Sequence, residues 1–157
     1  MPARAQPGVN LAMLSTTSEY ALRALAFLAR TPRGQVVLGR DLAERTGIPS
    51  KYLAKVMLSL RHAGLVTATR GTGGGYSLMR MPESIHLMQV VEIFDGPAAR
   101  PQCLLGMNSQ CSEARPCSAH QAWRDVRRAY VDFLEGTTLR EIAHAAPTPP
   151  RHSARRA

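Results

Sequence analysis

The chain lacks any apolar run approaching the ~18 residues that carry a helix across a bilayer, so a soluble protein with no membrane partner is expected. It lacks an even number of cysteines. Three are present, Cys103, Cys111 and Cys117, which excludes a fully paired disulfide framework. No secretory leader precedes them, and thiols without one predict a reducing, cytoplasmic setting. A Gly-Lys-Ser/Thr is missing after the glycines at 71–75, and the residues that follow read as a strand. That excludes a nucleotide-binding P-loop. Lysine is almost absent: Lys51 and Lys55 are the only two.

What is present centres on residues 103–120, CLLGMNSQCSEARPCSAH, with the spacing Cys-x7-Cys-x5-Cys-x2-His. Thiolates and imidazole are soft-to-borderline donors that suit iron–sulfur clusters or zinc. Gly106, Asn108, Ser109 and Pro116 turn the chain, so that separated side chains can converge. The stretch has too few large apolar residues for a core of its own, and a bound metal centre would supply order through its ligand bonds.

A length of 157 residues and 45% hydrophobic content predict one largely ordered domain. The net charge of +9 is unevenly spread. Met13 to Arg80 holds ten Lys/Arg against three acids, a balance of +7, whereas Met81 to Ala146 holds six against eight, a balance of −2. The basic half points to a polyanion partner there.

The periodicity predicts a mainly α fold. Thr16 and Glu19 read as a capping box opening a helix with Leu22, Leu25, Ala26 and Ala29 on one stripe. A short helix from Gly39 to Thr46, a turn at Gly47, and a longer helix from Ser50 to about Ala63 form a helix-turn-helix. In such a unit the second helix enters the major groove, which makes Ser50, Lys51, Tyr52 and Lys55 the candidate DNA-reading residues. Residues 65–69 and 76–78 read as a β-hairpin wing. Its glycine-rich tip carries Arg70 and Gly71, suited to the phosphate backbone or minor groove. A short helix from Leu87 to Phe94 follows. A long one from Ser118 to Leu134 repeats Trp123, Val126, Tyr130, Phe133 and Leu134 at helical spacing. Such an amphipathic helix after a winged helix is expected to pack on a partner copy as a dimerisation helix, the alternative being that it closes its own core. Thr138 and Glu141 cap a last short helix. The expected organisation is a disordered extension at 1–12, a winged helix-turn-helix at 13–81, a cysteine loop and dimerisation helix at 82–146, and a disordered basic tail at 147–157.

These residues resemble the IscR/NsrR-type family of winged-helix iron–sulfur transcriptional regulators. The resemblance runs from about Met13 to Ala143. It rests on residues 18–25 (SEYALRAL), on Gly47-Ile48-Pro49 with Tyr52-Leu53, and on Leu60-Arg61 with 63–66 (AGLV). It also rests on Arg70-Gly71 with 73–76 (GGGY), and on the three cysteines followed by His120 and Trp123. The resemblance implies a homodimer carrying one cluster, 2Fe–2S or 4Fe–4S, per subunit and binding a two-fold DNA operator. It implies that Cys103, Cys111 and Cys117 are ligands, although the first interval is seven residues where IscR and NsrR have five. The fourth ligand is either His120 of the same chain or Glu19 reaching from the partner's first helix, with His120 favoured.

Two rivals share the same cysteines. A structural zinc would need a spacing one residue longer to match an RNA-binding zinc finger, and the aromatic residues such fingers place between ligands are missing. A thiol redox switch would keep DNA binding and drop the metal. A cysteine nucleophile is disfavoured by three clustered thiols and the lack of a visible substrate site, so no enzymatic activity is expected.

Overall fold

A computed structural model describes residues 13–107 and 109–145; the ends expected to be disordered, 1–12 and 147–157, lie outside them, as does Asn108. Six helices and a small hairpin follow in order: α1 Thr16–Arg30, α2 Gly39–Thr46, α3 Ser50–His62, β1 Val66–Thr69, β2 Gly75–Leu78, α4 Leu87–Asp95, α5 His120–Gly136 and α6 Leu139–Ala145. Short 3₁₀ turns occupy Pro82–Ser84 and Gly96–Ala99.

Helix α1 is the central strut, packed against α2, α3, α4, α6 and β2. It can be surrounded because it buries small residues, Ala21, Ala24 and Ala26, along with Leu25 and Leu28. Burying a leucine such as Leu25 contributes roughly 1.5–3 kcal/mol. The N-cap is Ser15, one residue before the Thr16 expected from the capping box: Ser15 Oγ accepts from the Ser18 N–H at 3.1 Å. The reason is tertiary. Asp95, at the end of α4, accepts from the Ser15 N–H at 3.2 Å and from its hydroxyl, and so fixes Ser15 as the cap. Glu19 is consequently no capping-box partner. It lies exposed in the first turn, and its carboxylate has no hydrogen-bond or ion-pair partner among the described residues.

Helices α2 and α3 form the expected helix-turn-helix. Gly47 takes φ +67°, where a side chain would be strained, and lets the Ile48 N–H close onto Ala43 O at 3.1 Å. Leu53, Val56, Met57 and Leu60 are the buried stripe of α3. The hairpin pairs Val66 with Leu78 and Thr69 with Gly75 in antiparallel register. Residues 36–38 add what was not anticipated, a short third edge. Val37 exchanges both backbone hydrogen bonds with Tyr76 at 2.8 Å, tying the wing to the segment before α2.

A second, smaller core joins Leu87, Met88, Val91 and Ala99 to Leu134, with Tyr130 and Val131 packed on it. Helix α5 starts at His120 rather than Ser118, and its apolar positions split into two faces. Trp123, Tyr130 and Leu134 turn inward, whereas Ala122, Val126, Ala129 and Phe133 are exposed. With Val126 and Phe133 about half exposed, at 49% and 54%, α5 closes only part of its apolar surface on its own chain. Thr138 and Glu141 cap α6 as expected, through bonds of 2.6 and 2.8 Å from the Thr138 N–H and hydroxyl to Glu141 Oε2.

Candidate functional site

The cysteine loop sits outboard of both cores, between α4 and α5, and is shaped by backbone turns. Gly106, at φ +72°, lets its N–H reach Cys103 O at 3.1 Å. The Cys111 N–H returns to Met107 O at 2.7 Å, and the His120 N–H to Cys117 O at 3.0 Å as α5 begins. The Trp123 indole N–H donates to Gln102 O, pinning the residue before Cys103 to the first turn of α5. These turns bring the Sγ atoms of Cys103, Cys111 and Cys117 within 4.8 Å of one another, with Cys103 and Cys117 at 3.7 Å. None of the three is in a disulfide, and all are half-buried.

His120 stands beside the thiols: its Nδ1 is 3.2 Å from Cys111 Sγ, and its Nε2 is 3.2 Å from Glu113 Oε1. Desolvation pushes the Cys103 thiol up, but backbone hydrogen bonds at Met107 and Leu105, with bonds from Cys117 and Cys111, outweigh it and hold the thiol below its ordinary range. Cys111 is displaced the other way. A backbone hydrogen bond at Cys117 favours its thiolate, yet burial and the neighbouring thiols Cys117 and Cys103 prevail and push it up. Beside them opens a cavity of about 410 Å³, whose polar lining includes Arg100, Gln102 and Arg127. Arg100 is engaged by Glu92 at 3.1 Å and Glu135 at 2.8 Å, whereas Arg127 has no ion pair among the described residues. Three converging thiols, an imidazole nitrogen and a cation-lined opening form a donor set that fits a soft-metal centre carrying negative charge. Glu19 is not among the residues converging here within one chain.

The candidate DNA-reading residues occupy a different face. Ser50, Lys51, Tyr52 and Lys55 are all exposed on the N-terminal half of α3, directly after Pro49. Tyr52 keeps 56% of its surface exposed while its ring meets Tyr20 edge-on, with centroids 6.1 Å apart. The Arg23 guanidinium lies 5.5 Å over Tyr20. Tyr52 is therefore anchored on α1 at one edge and open at the other. Arg70 and Gly71 are exposed at the wing tip.

Residues 14–145 match the Rrf2 pattern, described as an iron-dependent transcriptional regulator. The chain belongs to the Rrf2 family. It is 34% identical over 130 residues to the HTH-type transcriptional regulator IscR of Aliivibrio salmonicida, spanning 82% of this chain and 76% of that one. Among solved structures, CymR, the global cysteine regulator of B. subtilis, matches with a TM-score of 0.71 at 27% identity, over 85% of this chain and 98% of its own. T. potens IscR matches with a TM-score of 0.65 at 27% identity, over 85% and 88%. The IscR-like resemblance and the winged-helix fold read from the sequence are thus borne out. This Rrf2 protein is a DNA-binding transcriptional regulator and not an enzyme. No helix among the described residues is long and apolar enough to cross a membrane.

Three features of the site escaped the sequence reading. Glu113 and Arg127 are ordinary surface residues by composition, and the contact between Trp123 and Gln102 depends on the loop's path. The one available signal was an acid between the second and third cysteines, seven residues before the histidine.

Proposed function

We propose that this Rrf2 regulator controls its affinity for a two-fold DNA operator through an iron–sulfur cluster held by Cys103, Cys111 and Cys117. The observation that carries this reading is the convergence of the three Sγ atoms within 4.8 Å in a loop with little core of its own. His120 is the favoured fourth ligand, with its Nδ1 3.2 Å from Cys111 Sγ. Glu19 remains the alternative, reaching from a partner copy, and its release from the capping box leaves its carboxylate open to that role. A bound cluster supplies a redox-labile crosslink between 103, 111 and 117. The chain's own residues transmit its state: Trp123 couples the loop to α5, and the exposed stripe of α5 faces a second copy in the cytoplasmic homodimer. The spacing of the two α3 helices then decides how well Ser50, Lys51, Tyr52 and Lys55 meet adjacent major grooves. Arg70 and Gly71 of each wing add phosphate contacts.

Anaerobically purified protein tests this through its visible spectrum with iron and sulfide assays. Near-stoichiometric iron and sulfide with brown colour is expected; colourless protein overturns the cluster. A second reading, a thiol switch, is favoured by the 3.7 Å contact between Cys103 and Cys117. It requires a disulfide between those two in oxidised, metal-free protein, read by mass spectrometry. Zinc at the same thiols would appear as stoichiometric zinc without colour.

A further inference from the structure

Glu113 faces the side of His120 turned away from the thiols. The ring is nearly covered, with its side chain 9% exposed, and it is held between two groups. Nδ1 lies 3.2 Å from Cys111 Sγ and Nε2 lies 3.2 Å from Glu113 Oε1. Glu113 is itself braced. Reciprocal backbone bonds of 3.1 Å between Ser112 and Arg115 close the tight turn that carries it, and the Arg124 guanidinium lies 3.8 Å from its other oxygen.

Resting on the cluster reading above, we infer that Glu113 is a positioning residue: it fixes the tautomer and ring orientation of His120, so that Nδ1 and not Nε2 is the atom offered to the metal centre. A carboxylate accepts hydrogen bonds and donates none, so the ring hydrogen that faces it sits on Nε2. A neutral imidazole carries one ring hydrogen, which leaves the lone pair on Nδ1, the side of Cys111. In this geometry that lone pair accepts from the Cys111 thiol. When Cys111 binds metal its proton leaves to solvent, and the same lone pair is turned toward the centre. Metal-ligating histidines ordinarily donate their second N–H to a carboxylate, which sets both ring orientation and basicity. Glu113 is 74% exposed, so its pair with His120 adds little to stability; its effect is on which nitrogen points inward.

The test uses full-length protein, purified anaerobically and reduced, grown with histidine labelled with ¹⁵N at Nδ1 only or at Nε2 only. Pulsed electron paramagnetic resonance reads whether a labelled nitrogen is directly bound. Strong coupling in the Nδ1 sample alone, lost in His120→Ala, is expected. Glu113→Ala is expected to admit coupling in the Nε2 sample and to speed chelator-driven iron release by about tenfold, the usual scale for losing such a partner. Glu113→Gln, whose amide oxygen still accepts from Nε2, is expected to restore the wild-type pattern. Direct Nε2 coupling in the wild type overturns the inference, as does an unchanged pattern and release rate in Glu113→Ala. A cluster with no bound histidine overturns the inference alone, and protein that assembles no cluster overturns the cluster reading with it.

Discussion

Cys103 and Cys117 are fourteen positions apart in the chain, yet their Sγ atoms lie 3.7 Å from one another. That closeness is imposed by the turn at Gly106 and by the docking of Trp123 on Gln102, not by burial in a core. The third thiol, Cys111, belongs to neither hydrophobic cluster.

Cys111→Ala is therefore expected to abolish visible absorbance and bound iron while leaving helix content unchanged. Compared with the wild type with both proteins metal-free, this half-buried substitution away from the core should shift stability by less than about 1 kcal/mol. Any larger loss against the loaded wild type reports the missing metal centre. Full absorbance per subunit in the variant would show that Cys111 is not a ligand.

Much of the fold was legible because local and tertiary demands agree. The period of α3, the left-handed turn at Gly47 and the glycines of the wing each specify their element on their own. Where a distant residue decided the outcome, the sequence misled. Ser15 caps α1 because Asp95, eighty positions away, grips it, and nothing near Thr16 announces that. Val37 pairs with Tyr76, but three apolar residues are too short to register as a strand. In α5 the apolar repeat was visible, but its division into an inward face with Tyr130 and Leu134 and an outward one with Val126 and Phe133 depends on where α4 packs. The cysteine spacing revealed the site's donors. It could not reveal Glu113, whose role depends on the direction in which the His120 ring points.

Lys51 and Lys55 are one helical turn apart on the exposed face of α3, the arrangement for two phosphate or base-edge contacts from one groove. Replacing both with alanine is expected to weaken operator binding. It should also lower the slope of log affinity against log salt by up to about two, since each phosphate contact contributes about 0.9. Titration at several salt concentrations reads this directly, and an unchanged slope would remove α3 from the groove.

Gly75 sits where the wing crosses the Val37 edge, and a Cβ there would lie 2.1 Å from Val37 O. Backbone cannot yield as a flexible side chain does, so Gly75→Ala should force the wing away from residues 36–38. It is expected to cost about 1–3 kcal/mol of stability in denaturant titration and to weaken DNA binding. Gly136, which meets nothing within 4 Å, is the control. Its alanine variant should be neutral, or stabilising by about 0.4–1 kcal/mol. Equal effects of the two substitutions would mean that the Val37 pairing does not hold the wing.

Ala122, Val126, Ala129 and Phe133 recur at intervals of four, three and four along α5 and are all exposed, the spacing by which one helix seats against another. A homodimer would cover them. Placing a charge in the middle of that stripe should separate the copies, because an unpaired carboxylate would have to be desolvated in the interface. Val126→Glu is expected to sediment as a monomer with unchanged circular dichroism, since Val126 is 49% exposed within its own chain and supports none of its core. Arg128→Glu, on the opposite side of the same helix, should remain dimeric. With two-fold DNA, the Val126→Glu protein should bind half-sites independently and lose the affinity that comes from linking two recognition helices. A Val126→Glu protein that stays dimeric would place the interface elsewhere and break the proposed route from the cysteine loop, through α5, to the spacing of the two α3 helices.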